Sequence, residues 1–195
     1  MNDHDLENHY VAAAAVAPNA ACAEIIDEAR IGAAAHALDL NGGPPAVESG
    51  VNFSGEILFA SPDFSKYILS PRPYVHGSLN TKGDTNFYGL GLAWEQYFFG
   101  DRFVGEIDFG VARHDGVVNP PPEGDPARDD ILATRALLGS RYLFRVAIGA
   151  GVKLDDHWRA QLFYEHLSNG RVLGDSPHNQ GLDNLGIRIG YRFGD

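Results

Sequence analysis

From about residue 28 onward the chain alternates apolar and polar positions with a period of two, interrupted by clusters of Gly, Pro, Asn and Asp. Successive side chains of a strand point to opposite faces, so the pattern predicts strands with one apolar face each. Eight are predicted, at 28–40, 50–60, 70–81, 84–98, 102–114, 136–153, 157–168 and 183–193. Leu185, Ile187, Ile189, Tyr191 and Phe193 oppose Gly186, Arg188, Gly190 and Arg192. Tyr88, Leu90, Leu92 and Trp94 oppose Gly89, Gly91, Ala93 and Glu95 in the same way. No composition shift divides the series, so residues 24–195 read as a single domain.

The polar face decides what kind of barrel these strands make. It is crowded with small residues and with charges of both signs: Glu56, Glu95, Glu106, Asp108, Arg145, Arg159, Glu165, Arg188 and Arg192. A narrow lumen holding a paired polar network needs that composition, whereas a soluble lipocalin-like carrier would turn a lysine-rich face outward. Trp94, Tyr97, Phe98, Phe103, Trp158, Tyr191 and Phe193 fall near segment ends, as interfacial girdles require. The expected fold is therefore all-β, an eight-stranded antiparallel transmembrane β-barrel of the outer-membrane type. Phe99–Asp101 and Leu154–Asp156 are tight turns, while Asn41–Glu48, Gly116–Thr134 and Asn169–Leu182 are long. With both termini in the periplasm the long connections lie outside, although Ser61–Leu69 is long for a periplasmic turn.

Composition adds limits. The 195 residues carry 23 glycines and a net charge of −11, with no apolar run long enough for a membrane helix. No basic stripe is present to neutralise phosphates, which argues against a nucleic-acid partner. Residues 1–23 read as a signal-peptide remnant or flexible tail: Ala21 and Ala23 fit an A-x-A cleavage site, without a basic n-region. Cleavage there would remove Cys22, the one cysteine, and leave no disulfide.

The candidate chemistry sits at the end of the seventh segment, Tyr164-Glu165-His166-Leu167-Ser168-Asn169. His166 and Ser168 share the apolar face with Trp158, Ala160, Leu162 and Tyr164; Arg159, Gln161 and Glu165 point the other way. Counting by twos from Leu185 puts Asp183 on the apolar face of the eighth strand, near the same height. A Ser168–His166–Asp183 triad at the outer-leaflet interface follows, with Asp183 orienting the imidazole. Against it stand an ordinary girdle histidine and a Ser-Asn-Gly loop opening. The other histidines form no pair at metal-ligand spacing, so no metal or cofactor is expected. Gly89-Leu-Gly91 and Gly149-Ala-Gly151 lie inside alternating strands rather than at a phosphate-binding turn.

The residues His166-Leu-Ser168-Asn169-Gly170, Gly181-Leu-Asp183-Asn184-Leu185 and Ile189-Gly-Tyr191-Arg-Phe193 resemble the lipid A deacylase family called PagL. The resemblance implies an eight-stranded outer-membrane barrel that hydrolyses the 3-O-linked hydroxyacyl chain of lipid A. Its implied roles are Ser168 as nucleophile, His166 as general base and acid, and Asn169 at the oxyanion. Family members often carry glutamate as the acid where this chain has the shorter Asp183. The implied partners are lipopolysaccharide and the outer-membrane bilayer, with the site facing the outer leaflet and the protein a monomer or homodimer. A non-enzymatic barrel serving as adhesin or structural protein is the alternative.

Overall fold

The computed structural model describes residues 25–39 and 47–193. The leader expected at 1–23 and part of the first connection lie outside the described residues. Eight antiparallel strands close into a barrel in chain order: β1 (Ile26–Ala35), β2 (Val51–Phe59), β3 (Arg72–Asn80) and β4 (Phe87–Phe98), followed by β5 (Phe103–His114), β6 (Tyr142–Lys153), β7 (Trp158–Ser168) and β8 (Leu182–Arg192). β8 pairs with β1, so the sheet has no free edge.

The alternation sorts the two faces as expected. Ile31, Phe53, Leu79, Leu90, Ile107, Ile148, Leu162 and Ile187 are exposed on the outside, while Arg30, Glu56, Glu106, Arg145, Glu165 and Arg188 are buried inside. This inverts a water-soluble barrel and suits a bilayer, where apolar side chains meet lipid and the closed ladder satisfies the backbone. Buried charges are tolerated only when paired, and these are. Arg30 reaches Glu56 at 2.9 Å and Glu106 at 2.7 Å. Arg145 donates to Glu165 at 2.7 Å and to the Tyr74 hydroxyl at 3.0 Å. Arg188 pairs with Glu106, and Arg159 with Glu28. The Tyr74 ring crosses the lumen because Gly91 and Gly110 leave room: a Cβ on either would lie 2.6 Å and 2.5 Å, respectively, from its hydroxyl.

Toward the end of the barrel that carries the long connections, the lumen changes from ionic to apolar. Phe87, Ala112, Leu138, Leu143, Leu167 and Leu182 form one buried cluster there. This plug explains the largest departure from the expected strand boundaries. β6 begins at Tyr142 rather than 136, because Ala136, Leu137 and Leu138 fold into the barrel mouth instead of extending the ladder. β1 stops at Ala35 rather than 40; Ala37 takes a left-handed φ of 50° and His36 turns in to meet Glu48 at 3.0 Å. The long connection between β5 and β6 carries a short helix, α1 (Arg128–Thr134).

One girdle aromatic is misplaced by the sequence reading. Tyr97 faces the lumen, where it donates to Glu95 at 3.3 Å and accepts from Arg159 at 3.3 Å. Phe98, Phe103 and Trp158 do lie exposed at the opposite, short-turn end.

Candidate active site

β7 and β8 run side by side, and their register sets His166 directly opposite Asp183. Glu165 pairs with Asn184 and Leu167 with Leu182 on either side. The strict alternation sends these flanking residues inward. Leu167 and Leu182 enter the apolar plug, and Glu165 is held by Arg145 and by the Asn184 amide at 3.0 Å. Both strand ends are thus fastened from inside the barrel, while Tyr164, His166, Ser168 and Asp183 sit on the outer, apolar face. Side chains on a rigid ladder keep their geometry better than side chains on a loop.

His166 Nδ1 lies 2.6 Å from Asp183 Oδ1, so that nitrogen carries the hydrogen and Nε2 is left as the basic lone pair. The Tyr164 hydroxyl donates to the same Asp183 oxygen at 2.5 Å. The Asp183 side chain is 11% exposed, against 37% for the imidazole, so the acid sits behind the ring and the ring faces out. Glu165, the other carboxylate near the motif, is buried in the lumen at 1% exposure and takes no part.

Gly181 opens the edge of the ring. Its φ is +69°, and a Cβ there would come within 3.2 Å of His166 Cε1 and 3.8 Å of Nε2. Glycine is the one residue that both adopts this backbone without cost and leaves Nε2 uncovered.

Ser168 is the last residue of β7, half-buried and paired with Phe144 of β6. It shares the outer face with His166 two residues earlier, which puts their Cα atoms about 7 Å apart. Among the described residues its hydroxyl makes no hydrogen bond to His166; such bonds commonly close when substrate arrives.

The oxyanion role expected of Asn169 is not supported by its side-chain geometry. Its amide hydrogens already donate to the carbonyls of Leu138 at 2.9 Å and His178 at 2.8 Å. Its Oδ1 accepts from Arg171 N–H at 2.7 Å, and its own N–H goes to Asn179 at 2.9 Å. Asn169 is a latch that draws the last two loops together behind the serine. Tyr164 is the residue sequence reasoning passed over: alternation placed it on the site's face, but only the strand pairing shows its hydroxyl reaching Asp183.

Among the described residues, no cluster of His, Cys, Asp or Glu is arranged to hold a metal ion.

The structure is similar to the crystal structure of the outer membrane enzyme PagL, with a TM-score of 0.56 at 16% identity, covering 83% of this chain and 97% of that one. The N-terminal β-barrel domain of Pseudomonas aeruginosa OprF aligns with a TM-score of 0.49 at 10% identity, over 85% of this chain and 97% of that one. No curated protein sequence matches. The family model for PagL, lipid A 3-O-deacylase, matches residues 59–192, a span that takes in β3 to β8 and every residue of the site. The chain therefore belongs to the lipid A 3-O-deacylase (PagL) family of outer-membrane ester hydrolases.

Proposed function

We propose that this barrel removes the 3-O-linked hydroxyacyl chain of lipid A by serine-esterase chemistry, with the long-loop end of the barrel outward and the site at the outer leaflet. The observation that carries the reading is the 2.6 Å contact between His166 and Asp183 on the lipid-facing side, with Ser168 next on the same face. Nδ1 bound to the carboxylate leaves Nε2 to take the Ser168 proton as Oγ attacks the ester carbonyl. Collapse of the tetrahedral intermediate expels the sugar oxygen, which receives that proton from His166. A water activated by the same nitrogen then releases the fatty acid and restores Ser168. Asp183 orients the ring and offsets its transient positive charge; Tyr164 holds Asp183; Asn169 holds the turn that follows the serine.

An apolar hollow of about 430 Å³ on the outer face suits the acyl chain. Ile31, Ala33, Phe53, Ile187 and Ile189 line it, and Ile187 lies four residues along β8 from Asp183. That spacing is ~13 Å along the strand, or ~9 Å of depth at a tilt of ~45°, toward the middle of the bilayer, the direction an acyl chain takes from an interfacial ester. Ala33 forms its floor between Phe53 and Ile187, its partners on the two neighbouring strands.

Mass spectrometry of lipid A from cells expressing the protein tests the proposal. Loss of one hydroxyacyl group is expected with the native chain and not with Ser168→Ala. Equal loss with both would remove Ser168 from the chemistry, and no loss with the native chain would overturn the substrate.

A further inference from the structure

The connection between β2 and β3 is too long for a simple turn, and its side chains face the wrong way for water. It contains a 3₁₀ segment, Asp63–Ile68. Phe64, Tyr67, Ile68 and Leu69 are exposed by 77%, 84%, 52% and 85%. The polar residue is the one turned inward: Ser65 is buried, and its hydroxyl meets the Pro62 carbonyl at 2.6 Å and Ser61 Oγ at 2.9 Å. A water-facing turn has the opposite polarity, because its serines are solvated and its large apolar chains are covered.

The strands explain why the segment sits there. β2 and β3 have 9 residues each, whereas β4, β5 and β6 have 12. At a tilt of ~45° those lengths reach about 21 Å and about 28 Å, against an apolar band of about 25 Å. The shortfall lies at the short-turn end. β3 pairs with β4 only as far as Arg72 opposite Ala93, so Trp94 to Phe98 run on with no partner on that side. The 3₁₀ segment is fastened to this overhang, since Trp94 Nε1 donates to the Ile68 carbonyl at 2.8 Å. Lys66 lies over the Tyr67 ring at 5.2 Å, a cation and an aromatic together as at a headgroup boundary.

We propose that Phe64–Leu69 inserts into the lipid leaflet at the short-turn end and completes the apolar belt where β2 and β3 fall short. The partner is phospholipid: acyl chains for Phe64, Ile68 and Leu69, and the headgroup region for Lys66 and Tyr67. The surface adjoins the lipid-facing belt at Trp94, and it lies at the same end of the barrel as the exposed aromatics Phe98, Phe99 and Phe103. The segment thereby fixes the depth of the barrel on the side away from β7 and β8.

Spin labelling of the full chain in phospholipid vesicles tests this. Cys22 is replaced by serine, and a nitroxide is placed at Leu69→Cys or, as a water-facing reference at the same end, at Asp156→Cys, whose native side chain is 93% exposed. The ratio of collision with oxygen to collision with a water-soluble nickel chelate is expected to be several-fold higher at position 69 than at 156. Equal ratios would overturn the proposal. So would label–label broadening at 69 that grows with the protein-to-lipid ratio, which would assign the surface to a second copy of the chain.

Discussion

One oxygen of Asp183 receives two hydrogen bonds, from His166 Nδ1 at 2.6 Å and from the Tyr164 hydroxyl at 2.5 Å. The acid is one methylene shorter than the glutamate that the family resemblance led us to expect. It still reaches the imidazole because the strand register sets the two residues opposite one another, and Tyr164 holds the carboxylate in place. Tyr164→Phe is expected to leave the barrel folded and lower kcat about tenfold, with KM little changed. That corresponds to the ~1.5 kcal/mol of a hydrogen bond to a charged group. Asp183→Asn keeps the shape but favours the wrong tautomer, and should cost about 10³-fold or more. Steady-state kinetics on detergent-dispersed lipid A separates the two; a Tyr164→Phe enzyme with native kcat would show that the tyrosine positions nothing.

Gly181→Ala tests the open edge of the ring. The substitution puts a Cβ beside His166 in a left-handed backbone that costs about 1–2 kcal/mol for an alanine. Activity should fall more than thermal stability does. Comparing turnover with the heat-induced gel shift of the barrel reads both, and a variant that loses stability alone would mean that His166 is not reached along this edge.

Ala33 forms the floor of the apolar hollow beside β8. Ala33→Leu fills it, and on lipid A species of different acyl length the variant should discriminate against long chains more strongly than the native chain does. An unchanged product distribution would place the acyl chain elsewhere.

Glu165 neutralises Arg145 in the lumen and takes the Asn184 amide. Glu165→Ala takes the nearest carboxylate from a buried guanidinium, leaving it Asp108 at 3.5 Å, Glu56 at 3.9 Å and the Tyr74 hydroxyl, and should cost about 3 kcal/mol, the low end for breaking a buried pair. Urea-driven unfolding in vesicles measures it. A catalytic role for Glu165 would instead show as lost turnover at native stability.

Glu48 ties three connections together at the barrel mouth. Its carboxylate meets His36 at 3.0 Å, and accepts from the Thr85 hydroxyl at 3.0 Å and Ala136 N–H at 3.1 Å. Burial pushes this carboxyl up, yet the hydrogen bonds from His36, Thr85 and Ala136 outweigh it and hold it at about 2, below the ordinary 4.5. A carboxyl lowered on folding binds fewer protons than the unfolded chain does. Its stabilisation is therefore present above about pH 4.5 and is lost as pH falls toward 2. Protease cleavage of the loops should rise across that window in the native chain and be much less pH-dependent in Glu48→Gln. Parallel curves would assign the acid sensitivity to other groups.

The strands were legible because alternation is a local property: each residue's face follows from its neighbours two positions away. The inward charges, the outward apolar belt and the common face of His166, Ser168 and Asp183 all followed from that period. Where the chain left the ladder, the period misled. Residues 136–140 look like strand in isolation, but Leu138 is buried in a cluster with Phe87, Leu167 and Leu182, residues far from it in the chain. Tyr97 is a different case: it stays in the ladder two positions from Glu95, so the period itself turns it inward to Glu95 and Arg159, and what misled was its place near a strand end, where a girdle aromatic would sit.

The barrel, its inverted polarity and the motif that carries the family likeness are all written into the order of the residues. Which partner each polar group meets is settled by folding: Tyr164 with Asp183, Asn169 with two loop carbonyls, and Trp94 with the 3₁₀ segment. The physical reason is that a side chain's face is set by the backbone next to it, whereas its hydrogen-bond partner depends on strand register and loop closure, which bring together residues distant along the chain.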